Sequence, residues 1–394
     1  MKKRWTIAVL ALSLCLLAGC RETLRQREEP ADPICADSSA YLMAETPDGF
    51  YYSSGNILYY ADKADLLQWA PVCSRPSCSH TGPECQAYLG GDGRFVLRDD
   101  RIYFCDDHTR YDPDGASGTV LAGMALDGED RKIVYTVSGS LTQTGGSDRF
   151  CLLGDQLIAM YSRMNDQGTF DTYMVRVDDQ GEQTLFTGTM EQLPSWLGAV
   201  TRYEGMGGDT ALYFCLDDGR ENWAYTLYRP TAEKLVELGE VSQLGSLMNL
   251  DFVGSYLRGE ILRVYRPGDG YYDVDLSTGG QTKVMDAQLD GAWGWQLTQQ
   301  YAVESTLLYR PLAYQTEPED REQAMMLYDG EAWRTVSLPE ELAQGALIPN
   351  LRPLAVASDR IFFQAMVEDQ RRLYQVELER EDLELASVMA VSAP

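Results

Sequence analysis

Histidine is nearly absent from this chain, with two in 394 residues. So few imidazoles leave no credible Ser-His-Asp set, and His108 has no singled-out nucleophile beside it. Positive charge is scarce as well: 33 Lys and Arg stand against 60 Asp and Glu, for a net charge of −27. A body this acidic repels phosphate backbones and anionic headgroups, which argues against nucleic acid as a partner. The nine cysteines contain no Cys-x-x-Cys pair, so thioredoxin-type redox chemistry is excluded. GGDG at Gly90 and GMGGD at Gly205 lack the lysine and the strand-to-helix context of a phosphate-cradling loop. Helical periodicity is nearly missing too; MEQLPSW and PEELAQ each suffice for a turn or two. No apolar run reaches the roughly 20 residues a membrane-spanning helix needs.

What is present begins at the N-terminus. Lys2, Lys3 and Arg4 precede the apolar stretch Trp5 to Leu17, a secretory signal pattern. Its end, Leu17-Ala18-Gly19-Cys20, resembles the lipobox of bacterial lipoproteins. That resemblance implies a signal peptide over 1–19, cleavage before Cys20 and a diacylglyceryl group on the Cys20 thiol. Two acyl chains hold a protein at a bilayer stably. The expected location is therefore the cell membrane, lipid-anchored on its extracytoplasmic face. Loss of the segment takes the net charge from −27 to −30, because Lys2, Lys3 and Arg4 leave with it. Residues 20–40 are charged, carry Pro30 and Pro33, and read as the lipidated cysteine and a flexible tether.

Residues 41–394 carry a repeat. Apolar-aromatic bursts recur as GFYY at Gly49, RIYFC at Arg101, QLIAMY at Gln156 and ALYFC at Ala211. The series continues with EILRVY at Glu260, TLLYR at Thr306 and RIFFQ at Arg360. Hairpin patterns with Gly, Asp or Glu at the bend follow the bursts, as in YDVDLSTGGQTKVM. The bursts fall about fifty residues apart, near the roughly 40 to 50 residues of a propeller blade. The expected fold is all-β: a β-propeller of about seven four-stranded blades. Two large β-sandwich domains are the competing reading, which would not require the regular spacing.

Blade topology places the loops. Blade one reads as strands near Tyr41–Met43, Phe50–Tyr52, Ile57–Tyr60 and Leu66–Val72. The connector into blade two then shares a face with the loop DDHTRYDPDG, which runs from Asp106 to Gly115. Asp106, Asp107 and His108 become candidates for a ligand on that face, with Trp196, Trp293 and Trp295 from other connectors. Exposed indoles there could stack on sugars or grip a peptide; packing between blades is the other reading. The four aspartates suggest Ca2+, without the Gly and Glu spacing of an EF-hand loop, so a solvated acidic loop competes.

The connector reads Cys73-x4-Cys78-x-His80-x4-Cys85. Three thiolates and an imidazole are a full tetrahedral set for structural zinc. Disulfides, including one to Cys35 in the tether, and free thiols are the alternatives. Cys73, Pro76, Cys78, His80, Cys85, Ala87 and Tyr88 resemble a motif of Clostridia-type Firmicutes lipoproteins that pair a lipobox with a β-propeller of unknown function. The resemblance implies an anaerobic setting, which favours metal, and supplies no activity. The functional expectation is a non-enzymatic binding or scaffold module at the membrane, with a glycan, peptide or protein ligand. The alternative is a propeller-fold lyase or hydrolase acting on a polysaccharide.

Overall fold

The aromatic bursts owe their composition to burial on both faces. In the computed structural model, β2 (Gly49–Ser54) is buried at every residue. Phe50 and Tyr52 point to one side and Tyr51 to the other, as the two-residue period of a strand requires. Each side meets a different neighbouring sheet, so the large positions Phe50, Tyr51 and Tyr52 are all apolar or aromatic, and the small Ser53 and Ser54 are buried at its end. The same split recurs at Phe362 against Ile361 and Phe363. A strand sandwiched between two sheets reads as a continuous apolar run, much as in parallel sheets covered on both faces.

Four strands form the first blade: β1 (Met43–Glu45), β2, β3 (Ile57–Asp62) and β4 (Ala70–Pro71). All pair antiparallel in sequence order. Gly55 and Asn56 both have positive φ, 58° and 63°, in the two-residue turn that joins β2 to β3. That conformation matches the twist of the flanking strands and favours glycine and asparagine. Gly49 is fixed by space instead: a Cβ there would lie 2.3 Å from the Ala61 carbonyl oxygen.

Blade two repeats the plan with β5 (Phe95–Arg98), β6 (Arg101–Asp107), β7 (Thr119–Ala125) and β8 (Lys132–Thr136). Further sheets span 150–189, 212–240, 256–286, 293–337 and 352–392, giving seven in all. The sheet at 212–240 shows three strands among the described residues. Among the described residues, buried clusters lie between blades one and two, two and three, five and six, and six and seven. A further cluster joins Met43, Phe50 and Tyr52 of blade one to Leu354, Phe362 and Leu373 of blade seven. Side-chain packing therefore closes the ring. The Phe50 and Phe362 rings meet edge-on at 4.9 Å, and the Tyr52 hydroxyl donates to Gln364 Oε1 at 3.1 Å. The fold is a seven-bladed β-propeller, as the repeat predicts.

The structure describes residues 42–90, 93–98, 100–113, 118–136, 150–153, 156–178, 181–189, 212–216, 224–230, 235–240, 256–258, 261–275, 278, 280–308, 322–343, 350–368 and 370–392. All belong to the unit Pro33–Pro394. Cys20, the signal and tether segments and MEQLPSW lie outside them. The α-helix over Glu340–Ala343 is the single turn PEELAQ suggests. Among the described residues no helix is long and apolar enough to cross a membrane.

Two departures from the sequence reading matter. The fourth strand of blade one is short, Ala70–Pro71 rather than Leu66–Val72. Trp293 and Trp295 do not sit in a connector. They form the first strand of blade six, 2% and 1% exposed, and pack among Tyr265, Leu327 and Phe363. Burial of large indole surface between blades outweighs any use of these rings on a wet face.

Candidate metal centre

The cysteine loop begins and ends on one residue of β3. The Leu58 carbonyl accepts the Val72 N–H at 2.9 Å, and the Leu58 N–H donates to the Ala87 carbonyl at 2.8 Å. Leu89 N–H continues the return by donating to the Asn56 carbonyl at 2.7 Å. An isolated bridge between Ile57 and Tyr88 completes it. The returning segment occupies the Asn56–Leu58 end of the β3 edge, so β4 does not run on past Val72. Cys85, Ala87 and Leu89 are fully buried on that return, against Phe95, Ile102 and Phe104 of blade two. The loop is thus wedged into the seam between the first two blades.

Tight turns fold the loop back on itself. Cys78 N–H donates to the Arg75 carbonyl around Pro76, and Cys85 N–H donates to the Gly82 carbonyl beside Pro83. His80 adopts φ 55°, a left-handed conformation that costs a non-glycine residue energy and persists only where surroundings impose it. The outcome is convergence. The donor atoms of Cys73, Cys78, His80 and Cys85 all lie within 4.8 Å of one another. His80 Nδ1 is 3.4 Å from Cys85 Sγ. Cys73, Cys78 and Cys85 are free thiols.

The thiols are not equivalent. Burial pushes the Cys85 thiol up to about 12, with the Cys78 and Cys73 thiols adding to the rise and the Ala87 N–H opposing it. At Cys73 burial also raises, but backbone N–H groups of Arg75 and Gln86 and the neighbouring thiols outweigh it. The Cys73 thiol is held below its usual range. Hydrogen bonds to the ionised form favour that form.

Blade two clamps the loop through residues that carry no sequence signal for this role. Arg110 donates to the carbonyls of Pro83, of Cys85 at 3.1 Å and of Tyr88 at 3.2 Å. Arg131 lies over the Phe104 ring, 4.7 Å from its centroid, and donates to the carbonyls of Gln86 and Tyr88. Both guanidiniums converge on Asp106 Oδ2, at 3.2 and 3.5 Å, where the Tyr111 hydroxyl also donates at 2.9 Å. Gly90 makes room for this carboxylate; a Cβ there would lie 2.4 Å from Asp106 Oδ1.

The remaining site expectations sort accordingly. Asp106, expected on an open ligand face, is 3% exposed and holds the two arginines in place. Asp107 caps the single 3-10 turn His108–Arg110 by accepting from Thr109 N–H and Oγ1, which hold its carboxyl below the usual range. His108 sits in that turn and is not one of the four converging donors. Trp196 lies outside the described residues. The expected adjacency of the two loops is present, carried by Arg110. Arg131 comes from the β7–β8 hairpin, and nothing in its local sequence marks a partner 43 residues upstream.

Beside the loop opens a cleft of about 510 Å³, lined by Arg75, Glu84, Gln86, Arg110, Glu129 and Arg131 among others. The Ser74 hydroxyl donates across it to Gln86 Oε1 at 3.0 Å and reaches Glu129 Oε1 at 3.4 Å.

No protein-family profile and no curated protein matches the chain. Solved structures similar to it include oligogalacturonate lyase from Vibrio parahaemolyticus, at 10% identity over 87% of this chain and 91% of that one, TM-score 0.43. The β-propeller domain of the Trilobed protease from Pyrococcus furiosus is similar at 8% identity over 92% and 97%, TM-score 0.41. YCF48 bound to D1 peptide is similar at 11% identity over 91% and 94%, TM-score 0.41.

Proposed function

We propose that this chain is a lipid-anchored, extracytoplasmic β-propeller acting as a non-enzymatic binding or scaffold module. The anchor rests on Leu17-Ala18-Gly19-Cys20 and the charged tether behind it. The binding role rests on one observation, the cleft beside the cysteine loop. Its wall sets Arg75, Arg110 and Arg131 next to Glu84, Glu129 and Asp130. Guanidinium and carboxylate groups on one rim suit hydrogen bonding to sugar hydroxyls or to the polar backbone and ends of a peptide. Loop carbonyls already engage all three arginines, and Asp106 two of them, so the cleft offers a rigid polar wall rather than a mobile acid-base pair. The ligand class is a glycan, a peptide or a segment of a partner protein.

Three measurements test this reading. Radiolabelled palmitate should enter the wild-type protein in a bacterial host and fail to enter Cys20→Ala. Titration calorimetry of the mature chain against cell-wall glycans and short peptides should show saturable binding weakened at least tenfold by Arg75→Ala with Glu129→Ala. Turnover on a polysaccharide panel, abolished by His108→Ala, would instead establish a lyase or hydrolase.

A further inference from the structure

We infer that Cys73, Cys78, His80 and Cys85 form a closed structural site for one zinc ion that staples blade one to blade two. The donor spacings suit a single tetrahedral ion. Zn–S bonds of about 2.3 Å and Zn–N bonds of about 2.0 Å place S and N about 3.5 Å apart, and S and S about 3.8 Å apart. The observed His80 Nδ1 to Cys85 Sγ separation is 3.4 Å, and all four donors fall within 4.8 Å. The ring nitrogen beside Cys85 Sγ is Nδ1, which is taken as the ligand.

Three independent features select metal over a disulfide. Disulfides leave the imidazole unused, even where Cys35 takes the third thiol of the loop, whereas a metal uses all four donors. The left-handed backbone at His80 turns its ring back onto the sulfurs, a cost with no other visible return. Charge balance is the third. Zinc with three thiolates and a neutral imidazole carries −1, and the adjoining Asp106 carries −1. Arg110 and Arg131, which grip the Pro83–Tyr88 carbonyls, supply +2. With the thiols protonated, Asp106 and the two arginines sum to +1, which the metal thiolates offset. Binding displaces the three thiol protons to solvent as three Zn–S bonds and one Zn–N bond form. Three sulfurs and a nitrogen suit a borderline-soft d10 ion, and four protein ligands leave no position for substrate.

The full chain, purified without chelator, should contain about one zinc by mass spectrometry, as a four-ligand site holds. Its loop thiols should resist alkylation until a chelator is added. Cobalt loaded in place of zinc should show tetrahedral visible bands with sulfur charge transfer. His80→Ala should shift those bands, and Cys35→Ser should leave them unchanged. Thiols that react only after reduction, with no metal bound, would establish a disulfide staple and overturn the site. Thiols that react at once, with no cobalt spectrum, would overturn it equally. Because the cobalt spectrum is read on the unmutated chain, a variant that fails to fold does not obscure the outcome.

Discussion

Asp106 on β6 and Arg110, four residues later on a 3-10 turn, are paired at 3.2 Å with the carboxylate side chain only 1% exposed. Arg131 approaches the same oxygen from the other end of the blade. One buried acid thus orients two guanidiniums, and those hold the carbonyls of the cysteine loop. Removing one partner of a buried charge set leaves the others uncompensated, at a cost of about 3–5 kcal/mol. Asp106→Asn should lose stability on that scale in urea denaturation and speed hydrogen exchange at Cys85–Leu89. Unchanged exchange there would show that the loop does not depend on the clamp.

Gly90 is predicted to tolerate no side chain. A Cβ would meet Asp106 Oδ1 at 2.4 Å and the Cys105 carbonyl oxygen at 2.7 Å. Gly90→Ala should destabilise by about 1–3 kcal/mol, the range for overpacking a tight site. Gly118→Ala is the matched control, since nothing lies within 4 Å of a Cβ there. The two midpoints, measured side by side, check the contrast.

Closure of the ring by packing predicts coupling between the ends of the chain. Phe50 and Phe362 are 1% and 0% exposed. Each alanine substitution should cost about 3–5 kcal/mol. The double-mutant cycle should return about 0.5–1.5 kcal/mol of interaction, as expected for an edge-on aromatic pair. Strict additivity would place the two rings apart in solution.

Glu304 gives a pH prediction. Its side chain is fully buried; Oε2 accepts from Gln288 and Leu289 N–H at 2.7 and 3.0 Å, while Oε1 has no partner among the described residues. Burial raises its pKa, opposed by those two N–H groups. The folded state therefore binds the proton more tightly than the unfolded state. Stability falls as pH rises from the unfolded carboxyl range, about 4.3, through the raised folded value. Glu304→Gln should remove that slope and match or exceed wild type at neutral pH. Parallel thermal melts from pH 4 to 8 read the difference.

The architecture was legible because it rests on local patterns. Bursts such as RIFFQ and hairpin patterns such as YDVDLSTGGQTKVM declare strands and bends within a few residues, and their repetition declares blades. The site was legible in part. Cys73, Cys78, His80 and Cys85 lie within thirteen residues, so their convergence needs only the turns that Pro76 and Gly82-Pro83 suggest. Trp293 and Trp295 do pack between blades, one of the two readings the sequence left open, and only their assignment to a connector fails, because an indole in a loop and one in a strand look alike in a string. Asp106 was misread for a related reason: a carboxylate gives no local sign of whether it faces water or two buried arginines.

By itself the sequence determined the fold class, the approximate blade number and the membership of the donor set. Each is encoded in residue types and spacings along the chain. Only the tertiary structure decided what the donor set is joined to. Arg131 reaches Tyr88 from 43 positions away because β7 and β8 fold back across blade two. Such contacts follow from the packing of sheet on sheet, which brings together residues whose neighbours in sequence carry no trace of the meeting.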